Sequence, residues 1–103
     1  MLTNKKLKSL YKRYNKKYWK GRLPDISVRF ADTEGAWGHT HFEGSEPVYI
    51  EINRAVRTWT RTVKFTLLHE CCHVACPVQV EHGPRFDHEM LRLARAGAFH
   101  NLW

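Results

Sequence analysis

No stretch of eighteen or more apolar residues occurs in the 103-residue chain, which excludes a membrane-spanning helix of ordinary length. The opening Met1-Leu2-Thr3-Asn4-Lys5-Lys6 leads into a lysine-rich stretch and not into a hydrophobic segment of the signal-peptide kind. Cysteine is scarce. Cys71, Cys72 and Cys76 crowd into one short stretch, and an odd number of clustered cysteines is no disulfide framework, so reduced thiols are expected. There is no internal repeat, low-complexity tract or long linker. The chain is also short of acid at one end, since no Asp or Glu precedes Asp25. These absences predict one soluble domain over residues 1–103, a monomer that is cytoplasmic or nucleoid-associated, with no membrane partner.

What is present begins with enough apolar material for a core: 43% of residues, including four Trp, five Phe and four Tyr. The formal net charge of +7 is unevenly spread, because Lys5, Lys6, Lys8, Lys12, Arg13, Lys16, Lys17, Lys20 and Arg22 all come before the first acid. A local excess of this kind attracts polyanions, and DNA is the partner it suggests. A solvated helix face would carry the same lysines.

From Thr3 to Lys20 the residues Leu7, Leu10, Tyr11, Tyr14 and Tyr18 recur at helical spacing, with Lys8, Lys12, Lys16 and Lys20 on another stripe. The tyrosines are read as packing, and Trp19 is left open. Ile26, Val28 and Phe30, then Val48, Ile50 and Ile52, alternate with polar residues and predict two strands; Ala36 to Glu43 predicts a third, joined to the last as a hairpin through Gly44-Ser45-Glu46-Pro47. A second long helix is expected from about Thr58 to Cys76, with Val63, Leu67, Leu68 and Val74 inward, and a third from Gly83-Pro84 to about Gly97. The fold class is therefore α+β, about three helices on a small, mostly antiparallel three-stranded sheet.

His69-Glu70-Cys71-Cys72-His73 fits the pattern H-E-x-x-H. Two histidines four apart share one helical face and can grip one metal ion, and the intervening Glu70 projects beside it, where it can take a proton from water. A catalytic zinc needs a third protein ligand. His82, beyond the helix-breaking Pro77, is well placed, and His88 and Glu89 compete with it. Cys76 and Gln79 stand where the longer H-E-x-x-H-x-x-G-x-x-H pattern has its glycine and third histidine, which excludes that pattern. Cys72 and Cys76, also four apart, leave open a closed structural zinc site built from thiolates and histidine.

His69-Glu70-Cys71-Cys72-His73, followed by His82-Gly83-Pro84-Arg85-Phe86 and preceded by a strand ending Ile50-Glu51-Ile52-Asn53, resembles the SprT-like metalloprotease domain, the group that includes the Spartan DNA-protein crosslink proteases. The resemblance covers nearly the whole chain. It implies a zincin-like architecture and one zinc ion held by His69, His73 and His82, with Glu70 as general base. In the Spartan branch it also implies DNA-stimulated proteolysis of DNA-bound proteins. The chain departs from the family pattern in having Arg54 where proline commonly follows Asn53, and it shows no Cys-rich zinc ribbon. Any DNA contact then falls to the core itself: Lys8, Lys12, Lys16 and Lys20 of the first helix, with Arg54, Arg57 and Arg61.

The expected activity is zinc-dependent endopeptidase cleavage of proteins, DNA-bound or DNA-crosslinked proteins among them. A substrate would lie extended along the strand Ala36 to Glu43, with Trp37, His39 and His41 lining the cleft. The main alternative is a nucleic-acid-binding module whose zinc is structural or non-catalytic; a zinc hydrolase of small substrates leaves the basic stretch without a use.

Overall fold

The computed structural model describes residues 1–77 and 82–102. Its first helix, α1 (Asn4–Trp19), starts where extended Thr3 caps it, Oγ1 accepting from the Lys6 amide at 3.2 Å. Leu7, Leu10, Tyr11, Tyr14 and Trp19 are buried. Tyr11 Oη donates to the Pro24 carbonyl at 2.7 Å, and Trp19 Nε1 donates to Glu89 Oε2 at 2.9 Å, so the tryptophan left open by the sequence is a core residue with a satisfied N–H. The helix ends as Lys20 turns left-handed at φ +54° and Gly21 follows at φ +78°.

Three strands follow: β1 (Ser27–Ala31), β2 (Gly38–Glu43) and β3 (Glu46–Asn53), in the order β1-β3-β2. The β2–β3 pair is antiparallel and the β1–β3 pair parallel. The hairpin is tighter than the sequence predicts. Glu43 faces Glu46 across Gly44-Ser45 alone, and Gly44, at φ +63°, supplies the positive φ that the first central position of a II′ turn requires. The register slips by one residue between His41 and Phe42. Strand β2 also starts two residues later than Ala36; Trp37 contributes only its carbonyl, which accepts from the Asn53 amide at 2.8 Å.

A 3-10 turn, Arg54–Val56, leads into α2 (Thr60–Ala75), and Pro84 at the first helical position opens α3 (Pro84–Arg95). Val28, Phe30, Ile50 and Ile52 present one sheet face to α1 and α2, where Leu7, Tyr11, Val63, Leu67, Leu68 and Cys71 complete the core. Helix α2 is central: it packs on β2 and β3, α1 and α3, and it buries Thr66, Glu70 and Cys72 besides its aliphatic residues. The outward sheet face carries Arg29, Glu51, Tyr49, His39 and His41. Arg29 pairs with Glu51 at 3.0 Å and lies over the Tyr49 ring at 4.8 Å, while His41 stacks on the same ring at 4.7 Å between centroids. Among the described residues no helix is long and apolar enough to cross a membrane.

Candidate metal centre

The residues of α2 that share a face with Glu70 are Thr66, one turn before it, and His73, one turn after; His69 lies beside them. His82 sits just before the α3 N-terminus, where Gly83 is extended and Pro84 sets the helix direction. The three histidines converge. Their potential ligand atoms all lie within 4.8 Å of one another, and His69 Nε2 is 3.1 Å from His82 Nε2. Two nitrogens each about 2.1 Å from a tetrahedral zinc stand about 3.4 Å apart, so this spacing suits ligands of a single small ion. Burial, and then His73 and His82 beside it, push His69 down to about 4; His73 is lowered by burial and by His82. Neutral imidazole is the form that ligates a metal.

Among the described residues this is the only group of three or more His, Cys, Asp or Glu side chains gathered closely enough to hold an ion. The competing ligand sets are accounted for in other ways. Glu89 accepts from Trp19 Nε1 and, at 3.0 and 3.2 Å, from the Arg92 guanidinium. His88 is exposed on α3. Cys71 and Cys72 have no exposure, and burial raises the thiols of Cys71, Cys72 and Cys76 above their ordinary value, so they pack as small apolar groups.

Glu70 is buried, with 5% exposure, and its Oε1 accepts a hydrogen bond from Thr40 Oγ1 at 2.7 Å. Burial lifts the carboxyl from 4.5 to about 7, against the opposing pull of the Thr40 bond. Strand β2 approaches the helix at this point only because residue 38 is glycine. A Cβ there would lie 2.6 Å from Thr66 Cγ2 and 3.2 Å from both Cγ and Oε2 of Glu70. A cleft of about 340 Å³, lined by Gly38, His39, Thr40, Phe42, His69, Glu70, His73 and His82, runs between the β2 edge and these helices. A larger hollow of about 610 Å³ lies elsewhere, between Trp19, Leu23, Cys76 and Arg85, and holds none of the converging ligands.

The expected substrate-lining residues are placed differently from the sequence reading. Gly38, Thr40 and Phe42 are the β2 residues turned to the helix side, while the His39 and His41 rings lie 6.3 and 4.7 Å from the Tyr49 ring on the other face. His39 also touches the cleft rim, and Trp37 stands 56% exposed just before the strand. Sequence reasoning did not single out Thr40 and Gly38; strand alternation groups them with Phe42, but the shift in register between His41 and Phe42 is what turns that set toward the helices.

The cationic residues divide into two groups. Lys12 and Lys16 on α1 and Lys20 at its C-terminal cap are exposed, as are Arg54 and Arg61 near the start of α2. Lys8 and Arg57 are tied into the fold: Lys8 Nζ donates to Asp25 Oδ1 at 2.7 Å and to the Ile26 carbonyl, and the Arg57 guanidinium donates to the Leu2 carbonyl at 3.2 Å while lying over the Phe30 ring at 5.4 Å. Every exposed residue of α1 after Asn4 is Lys or Arg except Ser9.

The sequence model of the SprT-like family matches residues 7–101. No curated protein matches the chain.

Proposed function

The chain belongs to the SprT-like family, and from that membership and the geometry of the cleft we propose that it is a zinc-dependent endopeptidase. The observation that carries this reading is the convergence of three histidine ligand atoms beside a buried carboxylate, in a cleft bordered by the edge of a strand. His69, His73 and His82 would hold the ion. Zinc, when bound, supplies an activated water at neutral pH and polarises a carbonyl.

The remaining steps fall to the chain itself. Glu70 takes the proton of the attacking water and passes it to the departing amine. Thr40 holds one carboxylate oxygen, which leaves the other for that exchange. Burial raises the Glu70 carboxyl to about 7 in the metal-free protein, and a bound cation would draw it back down toward the ionised form that accepts a proton. An extended peptide would add along the β2 edge, with its main chain paired to the strand and its side chains over Gly38, Thr40 and Phe42. The exposed cations of α1, with Arg54 and Arg61, would recruit DNA and hence proteins bound or crosslinked to it. The domain would span residues 1–103 and act as a monomer inside the cell.

A second reading has its own observation. The solvent face of α1 is almost wholly cationic, which also suits a nucleic-acid-binding module with a non-catalytic zinc. The two readings separate in one experiment. Wild type and E70Q are incubated with a DNA-binding protein, with and without single-stranded DNA, and their zinc content is measured. Cleavage by wild type alone, at equal zinc, supports the peptidase and shows whether DNA controls it. Zinc in both proteins with cleavage by neither favours the binding module, and absence of zinc from both removes the metal argument.

A further inference from the structure

In the metal-free protein His69 Nε2 and His82 Nε2, 3.1 Å apart, can share a proton, but that link is lost once both lone pairs must face an ion, so a ligating arrangement of all three rings needs support from outside the triad. His82 is the weakest member on this count, being exposed and outside any helix. One side chain touches all three rings. Phe86, 4% exposed in the first turn of α3, has its ring centroid 4.9 Å from that of His69, 4.4 Å from that of His73 and 4.4 Å from that of His82. It stacks on the latter two, at 30° and 16° between planes, and meets His69 edge-on at 65°. The turn that aims His82 also places Phe86: Gly83 is extended, Pro84 has its φ set by the ring, and Phe86 comes two residues later.

We propose that Phe86 is a positioning residue for the metal centre, a shared aromatic floor that holds the three imidazoles in a ligating arrangement before the ion binds. Offset and edge-to-face ring contacts are the arrangements in which aromatic pairs attract, and the shell behind a ligand set governs both its order and its access to water. The floor closes the α3 side of the triad and leaves its approach on the cleft side, where Glu70 and Thr40 stand.

The inference rests on the metal-binding half of the proposed function and not on peptide cleavage, so its test reads metal affinity. Zinc dissociation constants are measured by competition with a chromophoric chelator for wild type, F86L, F86Y and L93V, with unfolding of each metal-free protein followed in parallel. Leu93 is fully buried on α3 two turns further on and serves as the control for core packing. F86L is expected to lose about 10- to 100-fold in zinc affinity, F86Y to stay within a few-fold of wild type, and L93V to lose stability with its zinc affinity unchanged. The cobalt form of F86L should show weakened visible bands of tetrahedral coordination. F86M stands in for F86L if the leucine variant does not fold. Wild-type affinity in F86L, an F86Y loss as large as that of F86L, or an equal loss in L93V would overturn the proposal. A wild type that takes up no zinc overturns both this inference and the metal centre; one that binds zinc as described and cleaves nothing sinks the peptidase reading alone.

Discussion

Replacing Glu70 by glutamine should make the metal-free protein more stable at alkaline pH, although it removes the proposed base. The reason is that an ionised carboxylate is held in a buried place before any cation is there to balance it. In the fold, burial lifts this carboxyl from 4.5 to about 7. Between those values the folded chain retains a proton that the unfolded chain gives up, so stability falls as pH rises through the window. At about 1.4 kcal/mol per pH unit, the loss is about 3 kcal/mol by pH 8. Glutamine carries no charge and keeps an oxygen to accept the Thr40 hydroxyl, so E70Q escapes the loss. For a domain of this size the gain corresponds to roughly 10–20 °C in Tm. His69, pushed down to about 4, acts in the opposite direction: its contribution is present above pH 6.5 and lost as pH falls toward 4. Both proteins share that acid loss, which cancels in their difference. The assay is urea unfolding of chelator-treated wild type and E70Q from pH 5 to 9. The gap should be small at pH 5, widen through pH 7 and narrow again when zinc is restored. A gap below about 0.5 kcal/mol at pH 8, or one that widens toward acid, would refute the argument that the carboxylate is buried under strain.

Four further outcomes follow from the same contacts. G38A should cost about 1–3 kcal/mol in urea unfolding, because its Cβ would press on Thr66 and Glu70; a cost near zero would mean that strand and helix separate easily. T40V should lower peptide turnover about 10-fold or more with zinc content unchanged, since a hydrogen bond to a charged group is worth about 1.5–3 kcal/mol; unchanged turnover would dismiss Thr40 from the site. The triple variant K12E/K16E/K20E should weaken single-stranded DNA binding and reduce the slope of log affinity against log salt by about 2, and an unaltered slope would move the DNA contact off α1. Y11F should lose about 1 kcal/mol, as it leaves the Pro24 carbonyl without the Tyr11 donor; equal stability would show that water replaces that donor at no cost.

Much of this protein is legible in its residues, for reasons that mark where legibility stops. The α1 stripe of Leu7, Leu10, Tyr11 and Tyr14 and the four-residue spacing of His69 and His73 are properties of a single helix, and a helix carries its own geometry. Pro77 just after α2 and the Gly83-Pro84 pair at the start of α3 are equally local signals, marking where one helix stops and the next begins. Lys8 and Arg57 are different, because a cation paired inside the fold has the same sequence signature as one on the surface, and only tertiary contacts separate them. Strand β2 shows the limit most clearly. Its alternation divides Trp37, His39 and His41 from Gly38, Thr40 and Phe42, and the strand itself does not say which set faces the helices. Its partner does, since Ile50 and Ile52 are buried and the residues opposite them share their face. A regular hairpin counted back from Glu43 opposite Glu46 would place His39 opposite Ile50 and so turn the histidines inward. The slip between His41 and Phe42 adds one residue on the β3 side and sets Thr40 opposite Ile50 instead. In a strand, one residue of register exchanges the two faces. The β2 side chain that reaches Glu70 is therefore decided by a single irregularity in the hairpin, one residue beyond Thr40.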